Sequence, residues 1–250
     1  NLGINYDSEK GTTDFTRNNA TNTISELRHF ENYNQNRNYF VKVDYTSPLG
    51  KGGSFEVGGK ANFNNNVIPN DYRVISNNSL LENVNYFQYT ENLNSLYANY
   101  SKTFFEKLET RIGLRYELID YKIHQNGTET RRESYGTFLP NLLVKYAFTP
   151  NYDLSLTYNH NLWRPWYSEF NDFEMPGNNG FFYRGNVNLL PNPSDRIGLK
   201  FGIYKKYFLS ARYTFTDQDY WTSYSQETQN GLVKTISFPD NFKGKVEKFY

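Results

Sequence analysis

The chain has 250 residues, with 27 Lys and Arg against 26 Asp and Glu, a formal net charge of +1, no Cys, 23 Tyr, 20 Phe and 34 Asn. The near-zero charge removes the electrostatic footprint of a nucleic-acid binder, and the missing Cys excludes a disulfide scaffold, a thiolate metal site and a Cys nucleophile. A mean hydropathy of −0.80 and the lack of any apolar run near 18 residues exclude transmembrane helices, but not a membrane barrel, whose strands hide their apolar residues in alternation.

Low hydropathy with much Asn can signal disorder, but disordered chains are poor in aromatics and this one is 18% aromatic. Aromatic and β-branched residues favour strands, and Asn and Gly favour turns, so the class is all-β. The chain opens at Asn1 with neither a basic nor an apolar leader region, as expected of a processed chain or an internal fragment.

Taken in order, residues 2–6 read as a first short strand. Tyr39, Val41, Val43 and Tyr45 then alternate with Phe40, Lys42 and Asp44. In 54–64, Phe55, Val57, Gly59, Ala61 and Phe63 oppose Ser54, Glu56, Gly58, Lys60 and Asn62. A weaker run over 86–102 ends in Leu96, Ala98 and Tyr100. The clearest run, 108–120, sets Leu108, Thr110, Ile112, Leu114, Tyr116 and Leu118 against Glu109, Arg111, Gly113, Arg115 and Glu117. Further runs follow at 138–148, 154–159, 197–203, 209–215 and 232–238. Period 2 is the mark of a strand with one buried face, and no segment shows a period of 3.6.

The apolar face of these runs carries no Asp, Glu, Lys or Arg, and the other face carries both signs. A soluble sandwich turns such a face into its core, whereas a transmembrane barrel turns it to lipid around a polar lumen. Pattern alone fits both. The links favour the barrel. Short ones at 47–53, 103–107, 149–152, 205–206 and 239–244 alternate with long ones at roughly 64–85, 122–137, 164–194 and 222–231, as in up-and-down barrels with turns on one side and loops on the other. Runs of about 9–13 residues suit a tilted crossing of the hydrocarbon layer. Aromatics near run ends, including Tyr39, Tyr45, Tyr100, Phe104, Tyr116, Tyr146, Phe148 and Trp163, suit interfacial girdles. The expected fold is an antiparallel up-and-down transmembrane β-barrel, of which this chain, as one domain over 1–250, supplies about ten or eleven strands.

No catalytic, metal or cofactor site is expected. His29, His124 and His160 have no metal-ligand spacing, and no spacing ties Ser155 or Ser168 to His160 as a nucleophile and base. The charges Glu56, Lys60, Arg111, Arg115, Glu117, Lys145, Lys200 and Arg212 are expected to form a lumenal network. The Asn-rich stretch 62–78 reads as a solvated loop. The link 164–194 offers Trp166, Tyr167, Phe173, Phe182, Tyr183 and Arg184 as ligand-binding candidates, set among Asn178, Asn179 and Gly180. Rings, amides and one cation can stack on and hydrogen-bond a sugar, a peptide or a chelate. The competing reading is that these residues fold the loop back on the barrel rim.

The stretch FLPNLLVKYAFTPNYDLSLTYNHNLWRPWYSEFNDF, residues 138–173, resembles the barrel of Bacteroidetes TonB-dependent receptors, the outer membrane protein beta-barrel family related to transporters of the SusC type. Arg164, Pro165, Tyr167, Phe170, Asn171 and Phe173 stand at the positions of that family's "RPSY..LNPF", with Trp166 where a small residue is usual. FFYRGNVNLLPNPSDRIGLKF, residues 181–201, resembles its "EGNPNLKPE" through Gly185, Asn186, Asn188, Leu189 and Pro191, with Asn192 departing from the frequent acidic residue. VDYTSPLGKGGSFEVGGKANF, residues 43–63, resembles one of its hairpins, and residues 1–37 match only in style. The resemblance implies a larger parent in the bacterial outer membrane, with an N-terminal plug that this chain lacks and a barrel of about 22 strands. It implies import of a scarce siderophore, glycan, peptide or vitamin, with no enzyme activity. The implied partners are outer-membrane lipid, the TonB complex acting through the plug, and a surface lipoprotein, but no nucleic acid. A passive pore or structural barrel, or a soluble secreted glycan-binding β-protein, are the alternatives.

Overall fold

A computed structural model describes residues 2–18, 24–76, 79–177, 181–229 and 232–250. The chain forms one 12-stranded sheet in the order β1-β2-β3-β4-β5-β6-β7-β10-β11-β12-β9-β8. The long strands are β1 (Leu2–Asn18), β2 (Ile24–Pro48), β3 (Gly53–Ser76), β4 (Ser79–Phe104), β5 (Leu108–Gln125), β6 (Thr128–Thr149), β7 (Tyr152–Trp163), β10 (Asn192–Ile203), β11 (Tyr207–Gln229) and β12 (Leu232–Phe249). Each pairs antiparallel with its sequence neighbour, and β7 pairs with β10 across an insertion. That insertion contains a 3₁₀ turn, Tyr167–Phe170, and the short strands β8 (Met175–Pro176) and β9 (Phe181–Tyr183). Among the described residues β1 and β12 are not paired with each other, so the sheet is open. It is a segment of a larger up-and-down barrel.

The uncharged stripes are exposed and are not pressed together in a core. On β5, Ile112, Leu114, Tyr116 and Leu118 point outward and are exposed. Val41, Val43 and Tyr45 on β2, Leu96 on β4 and Leu199 on β10 are exposed in the same way. In water such a continuous apolar surface is a liability; against acyl chains it is what a barrel needs. From Leu108 to Leu118 the band is about 11 residues tall, the length of a tilted crossing.

At Leu118 the two faces of β5 exchange character. The outward face goes from Leu118 to Asp120 and Lys122, while the inward face goes from Arg115 and Glu117 to the buried Ile119, Tyr121 and Ile123. Below this level the outside is greasy and the lumen ionic. Above it the outside is hydrated and the lumen is packed. The long insertion between β7 and β10 and the extensions of the strands beyond the apolar band lie at this upper end, so it is the extracellular one.

This exchange explains two corrections. The stretches 64–85, 122–137 and 222–231 are mostly not loops. The strands continue through them, with Ser76 paired to Ser79, Gln125 to Thr128 and Gln229 to Leu232, so that β4 has 26 residues and β3 has 24. The outer alternation stops at the membrane edge, but the backbone pairing does not. The Asn-rich stretch 62–78 is accordingly the upper half of β3, and Asn77 and Asn78 lie outside the described residues. Residues 239–244, expected as a turn, lie within β12, with only a register shift against β11 nearby, between Thr216 and Gln218.

The turns show what their residues tolerate. Asn126 and Gly127 close β5–β6 with φ of 51° and 79°, the left-handed pair that a two-residue hairpin demands. Phe105 and Glu106 adopt φ of 50° and 56° at the β4–β5 turn without such residues. Glu106→Gly is expected to raise the unfolding free energy of the receptor by about 0.5–1 kcal/mol, read as a shift in the denaturant midpoint. An unchanged or lower midpoint would contradict the strain.

Candidate functional site

The site is built where the 164–191 insertion meets the upper inner wall. Arg164 leaves β7 and turns into the barrel, where its guanidinium donates to Glu117 Oε2 at 2.7 Å and to the Tyr135 hydroxyl at 3.3 Å. Glu117 is buried on the lumenal face and pairs with Arg115 at 2.7 Å as well. The next residues form the 3₁₀ turn, tied by Trp166 N–H to Glu169 Oε2 at 2.6 Å and by Glu169 N–H back to the Trp166 carbonyl at 2.9 Å. This turn drives Phe170 onto the wall, where its ring stacks on Tyr89 and Tyr121 at 5.8 Å each.

The docked cluster comprises Phe170 and Leu189 from the insertion with Ile68, Phe87, Tyr89, Ile119, Tyr121 and Ile123 from β3, β4 and β5. Arg131 closes it. Its guanidinium lies 5.6 Å from the Tyr121 ring and 5.9 Å from the Phe170 ring, and it donates to the carbonyls of Val187 and Leu189, the latter at 2.8 Å. A buried side chain of this class contributes about 3–5 kcal/mol when aromatic. Gly185 permits the return crossing: a Cβ there would sit 2.3 Å from the Glu169 carbonyl oxygen and 2.5 Å from that of Asn171. The far end of the insertion is held by Asn186 donating to the Pro239 carbonyl at 3.1 Å, by Asn241 donating to the Asn188 carbonyl at 2.9 Å, and by parallel pairing of β9 with residues 235–237 of β12. Thus one insertion touches both β3–β5 and β12, and the sheet curls around it.

Burial in this cluster pushes the Tyr89 and Tyr121 phenols well above the usual tyrosine range, with the Glu91 carboxylate adding to the effect on Tyr89 and the Arg131 guanidinium opposing it at Tyr121. A phenol whose folded pKa is raised contributes stability that is complete below its unfolded value near 10 and is lost as pH rises above it. Loop docking is therefore expected to hold through about pH 10 and to weaken above it, measured as alkaline onset of protease access to the insertion. Onset well below that pH would show that other groups control docking.

A cavity of about 380 Å³ remains between loop and wall, lined by Asn36 of β2, Asn64 and Asn66 of β3, Tyr89 and Glu91 of β4 and residues 162–167. Its size lies in the range of small-molecule sites. Glu91 accepts from Asn64 Nδ2 at 2.9 Å and from the Tyr89 hydroxyl at 2.7 Å. Tyr167 accepts from Asn34 Nδ2 at 2.8 Å.

The six candidate residues separate. Trp166 and Tyr167 line this cavity. Phe173 is buried and stacks on Phe30 at 6.3 Å, so it packs the loop. Phe182 lies between Arg28 and Lys234, Arg184 lies 5.1 Å over the Phe238 ring, and Tyr183 is exposed, all on the β9–β12 side. Asn178, Asn179 and Gly180 lie outside the described residues. Asn64 and Asn66 were missed because their stretch read as a solvated loop, Asn36 because it precedes the run that begins at Tyr39, and Tyr89 and Glu91 because the run over 86–102 alternates only weakly; the signal for the amides is an Asn at every second position, 32–38 and 62–66, which places them on one face. Elsewhere, His160 pairs with Asp195 at 2.9 Å, and the Ser155 hydroxyl donates to the Lys200 carbonyl. No group of three metal-ligating side chains occurs among the described residues.

The profile of a family described as "Outer membrane protein beta-barrel family" matches residues 1–247. No curated protein matches. Among solved structures, the ferric citrate transporter FecA in its unliganded form is similar at TM-score 0.52 and 13% identity, over 99% of this chain and 36% of that one. The siderophore receptor PirA from Pseudomonas aeruginosa is similar at TM-score 0.40 and 10% identity, over 98% of this chain and 62% of that one. The chain thus spans about a third of FecA and under two thirds of PirA, and the FecA likeness shows the fold alone.

Proposed function

The chain belongs to the outer membrane protein beta-barrel family, and from that premise we propose that it is part of a TonB-dependent importer of a scarce nutrient. Its barrel sits in the bacterial outer membrane, which removes the soluble secreted alternative. In the proposed cycle the extracellular mouth captures the nutrient, and energy from the inner membrane, delivered through TonB, moves a plug carried elsewhere in the protein. The chemistry is binding and gated passage, with no covalent step. A surface lipoprotein partner fits this reading where the cargo is a glycan or peptide.

The observation that carries the proposal is the insertion 164–191 folded into the mouth. A passive pore is served by an unobstructed lumen. Here a packed aromatic cluster and two arginine anchors hold a loop inside it and leave a defined cavity. A loop packed into the mouth beside a defined cavity favours capture over diffusion.

The test is growth and uptake on limiting nutrients by a strain lacking the gene and by a strain lacking TonB. Loss of the same nutrient in both is expected. Uptake that disappears with the gene but persists without TonB would mean a passive pore.

A further inference from the structure

We propose that the nutrient held at this mouth is a neutral oligosaccharide, bound by the side-chain amides of Asn36 and Asn66 and stacked on Trp166; this rests on the import reading above. Asn66 is 3% exposed, lines the cavity, and its Oδ1 has no hydrogen-bond partner. The Asn36 Oδ1 on the same wall is likewise buried and unpartnered. Buried acceptors left unpaired are costly, and hydroxyl donors of a bound sugar would satisfy them. Amides suit this role because each offers an acceptor and a donor to neighbouring hydroxyls.

The charges point the same way. Glu91 is taken up by Asn64 and Tyr89, and Arg164 by Glu117. Among the described residues lining the cavity, Arg164 is the one cation, its guanidinium is turned to Glu117 and Tyr135, and the Glu91 carboxylate on the same wall would repel an anionic iron chelate. Trp166 is 63% exposed beside the amides, and its indole offers a flat apolar face to the C–H face of a sugar ring. Asn38 and Asn62, linked at 3.0 Å, continue the amide row down the lumenal face from the cavity, which gives a linear oligomer a path inward. A peptide would seek free strand edges or charged end groups, but β2, β3 and β4 are paired on both sides.

The test uses the purified full-length receptor in detergent on an array of neutral oligosaccharides, with ferric citrate and penta-alanine measured beside them by calorimetry. Binding of at least one neutral oligosaccharide is expected, weakened tenfold or more by Asn66→Leu and by Trp166→Ala and partly restored in Asn66→Gln. Leucine at 66 removes an unpaired polar atom, so folding should survive, and heat-modifiable migration checks it. Absence of binding to every neutral oligosaccharide, or neutral oligosaccharide binding unchanged in both variants, overturns the proposal. TonB-dependent uptake of ferric citrate or peptide with no sugar binding would overturn the sugar while leaving import standing. Uptake of a bound sugar without TonB would do the reverse.

Discussion

Leu114→Arg is expected to cut the amount of heat-modifiable, folded receptor in the outer membrane to a small fraction of the native level, whereas Arg111→Gln should leave it nearly unchanged. Leu114 sits in the outward stripe of β5, exposed with Ile112 and Tyr116 on either side along the face. An Arg at the midplane on the lipid face costs about 2–4 kcal/mol, a factor of about 30 to 1000 in the folding equilibrium. Arg111 is on the opposite face, where its Nε donates to Ser101 Oγ at 3.2 Å in a hydrated lumen, and losing one exposed hydrogen bond costs about 1 kcal/mol or less. The pair reads the direction of the two faces. Equal losses, or a larger loss for Arg111→Gln, would mean that the apolar stripes do not face lipid.

The second expected result concerns the inserted loop. Phe170→Ala should make intact cells sensitive to trypsin at Arg184, about a hundredfold faster than the native protein, while Phe170→Leu restores most of the resistance. The Phe170 ring is 3% exposed and stacked between loop and wall. Removing it costs about 3–5 kcal/mol. Cleavage of a locally opened segment follows the population of the open form when reclosing is fast, so about 3 kcal/mol corresponds to the stated factor. The barrel itself should remain heat-modifiable, because β2–β6 keep their ladders. Unchanged protease resistance would show that the β9–β12 attachments alone hold the loop.

Arg131 offers a check on the same region. Its guanidinium serves two loop carbonyls and two rings together, whereas Arg184 lies over Phe238 at the β9–β12 attachment. The loop is thus fixed at two separate places, and the cavity lies at the Phe170 end.

The family motifs gain a physical meaning here. Arg164 is the ion that turns the chain into the lumen and neutralises Glu117. Leu189 is fully buried in the docked cluster, and Asn186 ties the loop to β12 through Pro239. Of the two readings open for the 164–194 link, packing describes Phe173, Leu189 and Asn186. Trp166 and Tyr167 stand on the cavity.

Residue order alone determined the class, the strand direction and the lipid-facing stripe, because alternation of Ile112, Leu114 and Tyr116 with Arg111 and Arg115 is a local consequence of the pleat. It did not reveal that β3 and β4 run on past the bilayer, because the rule relating polarity to face inverts at Leu118, where water replaces lipid outside and the loop replaces water inside. Only the tertiary structure decided the cavity. Asn36, Asn66, Glu91 and Trp166 come from three strands and one insertion far apart in sequence, and their meeting depends on strand register and on Phe170 finding the wall, neither of which a local pattern encodes.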